Sequence, residues 1–275
     1  MRFVAPARGT IDPVIFTRPP LSQWNGFGAL LAGAQWPDIA SINAFVHNAA
    51  NAPLPRFVAQ TPELLRDGLH YEQRIADRGQ IATRVSNWHD LLNALIWLRF
   101  PSLKSALNAR QVTEIAQVGS KQRSRAQCAL THFDEGGAIV LLRDPDLLEV
   151  WDAHDWHGLF WRERAAWSDG RIRVLVFGHA LLEHALKPAQ LLVSKTIAVS
   201  VPQNANVEDA AIASIAAAIR CGELLNDPQE LRPLPLSGIP GWHVDNAMES
   251  FYREAPCFRP LRAGRRYPGP IVVGC

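Results

Sequence analysis

His179 and Glu183 stand four residues apart, so any helix that contains them carries both on one face. An imidazole and a carboxylate so placed can form an oriented acid/base pair or bind one metal ion. The pair follows an apolar, β-branched run and Gly178, where a strand gives way to a helix. It lacks the second histidine of the zinc-protease helix, and His184 points about 100° away from Glu183. A plain helical salt bridge uses the same spacing.

Two other segments offer comparable chemistry. Asn87-Trp88-His89-Asp90 opens a helical pattern in which His89 and Asn93 share a face, so His89 can serve as general base or metal ligand. Helix initiation accounts for its neighbours equally well: Asn87 suits an N-cap, and Asp90, three residues on, closes a variant of the capping box. Thr131-His132-Phe133-Asp134-Glu135-Gly136 brings Asp134 and Glu135 together, a pair able to act as general acid and base or to hold a divalent cation. Acids also populate turns for their local hydrogen bonds. Lys104 and Asn108, again four apart, either grip an anionic group or form the solvated side of a helix.

The remaining motifs point elsewhere. His154 and His157 resemble a metal cluster by composition but fall on an aromatic helical stretch. There is no Gly-x-Ser-x-Gly elbow, P-loop or Gly-x-Gly-x-x-Gly run, which removes the main support for serine-hydrolase, phosphate-loop and dinucleotide readings. Basic residues gather at Lys121, Arg123 and Arg125 and at Arg259, Arg262, Arg265 and Arg266. A net charge of +2, with 20% charged residues, is too balanced for a dedicated nucleic-acid protein.

The elements that must position these residues follow from periodicity. Residues 1–60, punctuated by Pro13, Pro19, Pro20, Pro37, Pro53 and Pro55, read as an extended wrap with a short helix over 39–48. Trp88, Leu91, Leu92, Leu95, Ile96 and Leu98 recur at helical spacing up to Pro101, and a second helix spans 102–118. Two apolar runs, 128–133 and 138–142, flank Asp134-Glu135-Gly136-Gly137 and predict a β-hairpin. A helix over 151–167, strands over 171–177 and 196–201, and helices over 179–186 and 207–221 complete a core that spans 61–227. Residues 228–275 read as an irregular surface strap.

At 275 residues and 48% hydrophobic content the chain can bury a core that needs neither disulfides nor metals for stability. Cys128, Cys221, Cys257 and Cys275 lack the close spacing of zinc or redox motifs and read as reduced thiols. No run reaches the length of a signal peptide's apolar region or a membrane span, so the expected setting is the cytoplasm, with no membrane partner.

Asn87-Trp88-His89-Asp90 with Asn93-Ala94, Phe100-Pro101, Lys104 and Asn108, followed by Phe133-Asp134-Glu135 and Phe177-Gly178-His179-Ala180, resembles an uncharacterised bacterial family, domain of unknown function 3025. Pro240-Gly241-Trp242, Asn246, Phe251-Tyr252 and Phe258-Arg259-Pro260 resemble its C-terminal signature. The resemblance runs from about residue 36 to 262. It implies a bacterial origin and one continuous domain, and brings no activity with it.

The expected fold is α+β: a helix-rich single domain with a small, partly antiparallel sheet and irregular N- and C-terminal straps. The leading functional expectation is an enzyme acting on a small anionic substrate by acid/base or metal-assisted hydrolysis, with one divalent metal ion as its cofactor. His179, Glu183, His89, Asp134 and Glu135 then carry the chemistry, while Asn87, Asn93, Lys104 and Asn108 hold the ligand. The competing expectation is a non-enzymatic binding protein for an anionic ligand or nucleic acid. In a third, the polar segments are structural caps.

Overall fold

The computed structural model describes residues 3–49, 54–119, 122–203 and 207–273; Lys121 and Cys275 lie outside them. The fold is α+β and helix-rich. Its helices are α1 (Gly28–Leu31), α2 (Ile39–Ala49), α3 (Tyr71–Arg78), α4 (Trp88–Arg99), α5 (Pro101–Val118), α6 (Arg125–Gly136), α7 (Asp146–Asp152), α8 (His179–Ala185), α9 (Glu208–Cys221) and α10 (Phe251–Glu254). Its strands are β1 (Arg56–Ala59), β2 (Gln80–Thr83), β3 (Gly137–Leu142), β4 (Ile172–Val176), β5 (Val193–Ser200), β6 (Arg232–Pro235) and β7 (Ile271–Val272).

β3 is the centre of the main sheet and is buried along its whole length. It pairs antiparallel with β4 and parallel with β5; β6 adds antiparallel to β5, and β7 adds parallel to β5 at Val199 and Ser200. A separate parallel pair, β1 and β2, is bridged by α3, with Phe57 opposite Ile81. The alternating, β-branched composition of β4 and β5 explains their strand form. The parallel β3–β5 pair requires the long crossover that α7 to α8 supply.

α4 begins where Asn87 accepts a hydrogen bond from the Asp90 amide at 3.0 Å, which satisfies one of the free donors of the first turn. Its Leu92, Leu95 and Ile96 are fully buried, each contributing roughly 1.5–3 kcal/mol. Pro101 then starts α5 at its first position, where a missing amide costs nothing.

Four expectations are corrected. Residues 128–136 form the second part of α6, not a hairpin strand. Ser124 and Gln127 close a reciprocal capping box, and Ala126, Ala129, Leu130 and Phe133 fall at helical spacing and are buried. Gly136 and Gly137 then pass the chain from helix to strand with no intervening loop; a Cβ on Gly137 would collide with the Phe133 carbonyl. The stretch 151–167 is not one helix: α7 stops at Asp152, His154 adopts φ 55°, and a π-helical turn (Gly158–Arg162) and a 3₁₀ turn (Arg164–Trp167) follow.

The N-terminal wrap consists largely of 3₁₀ turns instead of extended chain. Gln23 seals the free edge of β4, donating to the Val174 carbonyl at 3.0 Å and accepting from the Val176 amide at 3.1 Å. Arg8 is buried between the rings of Trp36 and Trp88 and donates to the Leu30 and Leu31 carbonyls. The C-terminal strap, finally, is part of the sheet, since it supplies β6 and β7.

Among the described residues no helix is long and apolar enough to cross a membrane. Cys128, Cys221 and Cys257 are free thiols.

Candidate metal centre

Four elements converge on one cavity. α4 supplies His89 from its first turn, α8 supplies His179 as its first residue, and α6 supplies Asp134 and Glu135 from its last turn. α5, packed between α6 and α9, turns Lys104 inward. The α6 and α8 ends are held together by backbone: the Gly137 carbonyl accepts from both the Phe177 amide (2.9 Å) and the Gly178 amide (2.8 Å). Gly178 is required there, because a Cβ would lie 2.5 Å from the Glu135 carbonyl oxygen and 2.5 Å from the Gly137 nitrogen. Stacking of Phe133 on Phe177, with ring centres 4.9 Å apart, supports the junction from below.

The two imidazoles meet edge to face, with His89 Nε2 3.0 Å from His179 Nε2. Each ring turns its other nitrogen to a carboxylate. His89 Nδ1 lies 3.1 Å from Glu183 Oε2, and His179 Nδ1 lies 3.9 Å from Asp134 Oδ2. With Nδ1 of His89 protonated towards Glu183, its Nε2 lone pair faces His179 Nε2, a point where a proton or a metal ion can stand; Asp134 lies beyond hydrogen-bond reach of the buried His179 Nδ1. Glu135 completes that point: its Oε2 is 3.6 Å from His179 Nε2 and 4.0 Å from His89 Nε2.

Asp134 is anchored by Lys104, whose ammonium donates to Asp134 Oδ1 at 2.6 Å and to Asn93 Oδ1 at 2.9 Å. Asn93 in turn donates to the Tyr71 hydroxyl at 3.1 Å, and Asn108 donates to Glu72 Oε2 at 2.7 Å. Arg84 takes both carboxylate oxygens of Asp90.

Protonation follows this geometry. Burial pushes the His179 imidazole down to about 3, so it is neutral and able to ligate at physiological pH. The Glu183 hydrogen bond raises His89, against its burial and with help from Glu135. Burial raises the Glu135 carboxyl, aided by Asp134 and opposed by His89. Burial works against ionised Asp134, yet the Lys104 ammonium holds that carboxyl below its usual range. Burial also raises Glu72 and Tyr71.

The residues singled out in the sequence are therefore placed unequally. His89, His179, Asp134, Glu135, Asn93, Lys104 and Asn108 all line one cavity of about 340 Å³. Glu183 joins them through His89; it does not pair with His179, its helix-face neighbour. Asn87 is outside the cavity and acts as a helix cap. Asp90 gives only its amide to that cap, its carboxylate going to Arg84 and not back to the Asn87 backbone. Lys104 and Asn108 are 4% and 8% exposed, so they are no solvated face.

Sequence reasoning missed Tyr71, Glu72 and Arg84, which also line the cavity. Only tertiary packing of α3 and β2 brings them there. His154 and His157 stand apart, bonded to Arg259 and Tyr267 and to Glu249 respectively.

A family model described as protein of unknown function (DUF3025) matches residues 55–262. The chain belongs to this family. The DUF3025 span holds every side chain of the centre, from Tyr71 to Glu183, and all four elements that position it. No curated protein and no solved structure matches the chain.

Proposed function

We propose that this DUF3025 protein is a metal-dependent hydrolase in which His89, His179 and Glu135 hold one divalent ion, zinc by the chemistry of the donors, beside a small-molecule cavity. One observation carries the proposal. The two Nε2 atoms and Glu135 Oε2 form a triangle of sides 3.0, 3.6 and 4.0 Å, whose centre is about 2.1 Å from each corner. Zinc binds imidazole nitrogen and carboxylate oxygen at about 2.0–2.2 Å. Two histidines and one glutamate leave a coordination position open, as catalytic zinc sites do. Glu183 stands behind the His89 ring as an orienting carboxylate does behind a zinc-bound histidine, and Asp134 lies 3.9 Å from His179 Nδ1.

The charge balance favours the same reading. Within the cavity Lys104 is engaged by Asp134 and Arg84 by Asp90, which leaves Glu135 facing only the two imidazoles. An anionic substrate would be repelled from that carboxylate. A divalent ion held by His89, His179 and Glu135 would reverse the local sign and supply Lewis-acid activation of substrate or water there. Lys104 then acts by fixing Asp134, and Arg123, an exposed cation on the cavity lining, is the group available to a substrate's negative end.

The test is elemental analysis of the purified chain, followed by chelation and zinc titration against a chromophoric chelator. The expected result is one ion per chain, lost in His89→Ala, His179→Ala and Glu135→Ala, together with zinc-dependent turnover of chromogenic ester or phosphoester substrates. Folded protein that neither retains nor regains a divalent ion overturns the proposal.

A further inference from the structure

A second cavity, of about 860 Å³, lies between α6, β5 and the C-terminal strap, and shares no lining residue with the metal centre. Lys195 from β5 and Arg259, Arg262 and Arg265 from the strap line it, with His132 of α6 and His154 nearby. No aspartate or glutamate is among its lining residues. None of the four cations has a carboxylate within ion-pair distance among the described residues. Elsewhere several arginines are paired: Arg232 takes both oxygens of Asp152, and Arg125 both oxygens of Asp227.

Crowding like charges is unfavourable: partial burial lowers Lys195, and Arg265 and Arg262 lower it further, while Asp227 feels Arg265 only from beyond ion-pair distance. The frame around these groups is nonetheless ordered. Arg265 donates to the Gln229 carbonyl and lies over the Tyr267 ring, 4.6 Å from its centre. Tyr267 stacks on His154, whose ring nitrogens meet the Tyr267 hydroxyl at 2.9 Å and the Arg259 carbonyl at 3.1 Å.

We infer that this cavity is a second ligand site, built for a phosphate-bearing small molecule. Three guanidinium forks and an ammonium match a multiply charged phosphate better than a single carboxylate. Binding single-stranded nucleic acid usually adds free aromatic faces on which bases stack. Here Trp156 is buried, and Tyr267 is already covered by Arg265, Arg232 and His154. A cavity whose charged side chains are all cationic, with no free aromatic face for a base, therefore selects the phosphate group itself.

The experiment is calorimetric titration of the full chain with inorganic pyrophosphate at low salt, after metal removal, so that an ion in the other cavity cannot carry the ligand. Binding of one pyrophosphate per chain is expected, weakening steeply with added salt. Lys195→Ala and Arg262→Ala should each weaken it at least about tenfold, as lost charge-assisted contacts do, with little change in Tm because both side chains are exposed. Arg66→Ala, an exposed cation that lines neither cavity, should leave it unchanged. Absence of binding at millimolar pyrophosphate overturns the inference, as does retained binding in both variants. Tighter binding of a single-stranded oligonucleotide would replace it with a nucleic-acid site. None of these outcomes depends on whether zinc binds His89 and His179.

Discussion

Glu183 Oε2 stands 3.1 Å from Nδ1 of His89, a residue 94 positions earlier in the chain, and not against His179 on its own helix. That contact fixes which nitrogen of His89 faces the cavity and makes the ring a better ligand. Glu183→Gln should therefore weaken zinc affinity by about 10–100-fold while His89, His179 and Glu135 remain in place. Chelator competition measures this, and an unchanged affinity would remove Glu183 from the centre.

Gly178 supports the site by lacking a side chain. Gly178→Ala places a methyl against the Glu135 carbonyl and the Gly137 nitrogen, which lie on backbone that cannot yield cheaply. A loss of about 1–3 kcal/mol is expected from overpacking, with weaker metal binding as α8 shifts from α6. Urea unfolding and zinc titration of the same sample check both, and wild-type values in both would contradict the close-approach argument.

Lys104 is 4% exposed and holds Asp134. Lys104→Met leaves that carboxylate without its cation and should cost roughly 3 kcal/mol, the low end for breaking a buried pair because Asp134 retains some solvent contact. The double variant Lys104→Met/Asp134→Asn should recover part of the loss. If the single variant unfolds at the wild-type denaturant midpoint, the pair is not structural.

In metal-free protein the two histidines give opposite pH dependences. Unfolded chain protonates residue 179 near pH 6.5, but the folded state does so only near 3, so stability falls as pH drops across that window. The slope from this group reaches about 1.4 kcal/mol per pH unit. His89 is raised instead; its stabilising proton is present below the unfolded value and is lost as pH rises through the folded one. Thermal melts across the acid range should show a shallower fall in His179→Asn than in wild type. Parallel curves would mean that His179 is not buried in its neutral form.

Much of the fold is legible in the sequence where signals are local. The Asn87 cap, the apolar stripe of α4, Pro101 at the start of α5 and the run from β4 through Gly178 into α8 each rest on neighbouring residues. Misreading α6 as a hairpin came from giving two glycines precedence over the Ser124–Gln127 box and the 126, 129, 130, 133 spacing. Those glycines end a helix directly at a strand, which composition does not distinguish from a turn. Spacing identifies His179 and Glu183 as candidates but not as partners, since the choice of histidine depends on how α4 packs on α8. The sequence leaves Lys104 and Asn108 open between a ligand grip and a solvated face because nothing local reveals that α5 is enclosed by α3, α4, α6 and α9.

The Gly137 carbonyl, shared by the Phe177 and Gly178 amides, also bears on timescale. It ties the carboxylate side of the centre to one histidine through the buried middle of the sheet, with no hinge between them. Opening the site along that line means breaking β3 from β4, an event close in free energy to global unfolding. Those two amides should be among the last in the molecule to exchange with deuterium. An ion seated there would leave by slow escape through the cavity mouth.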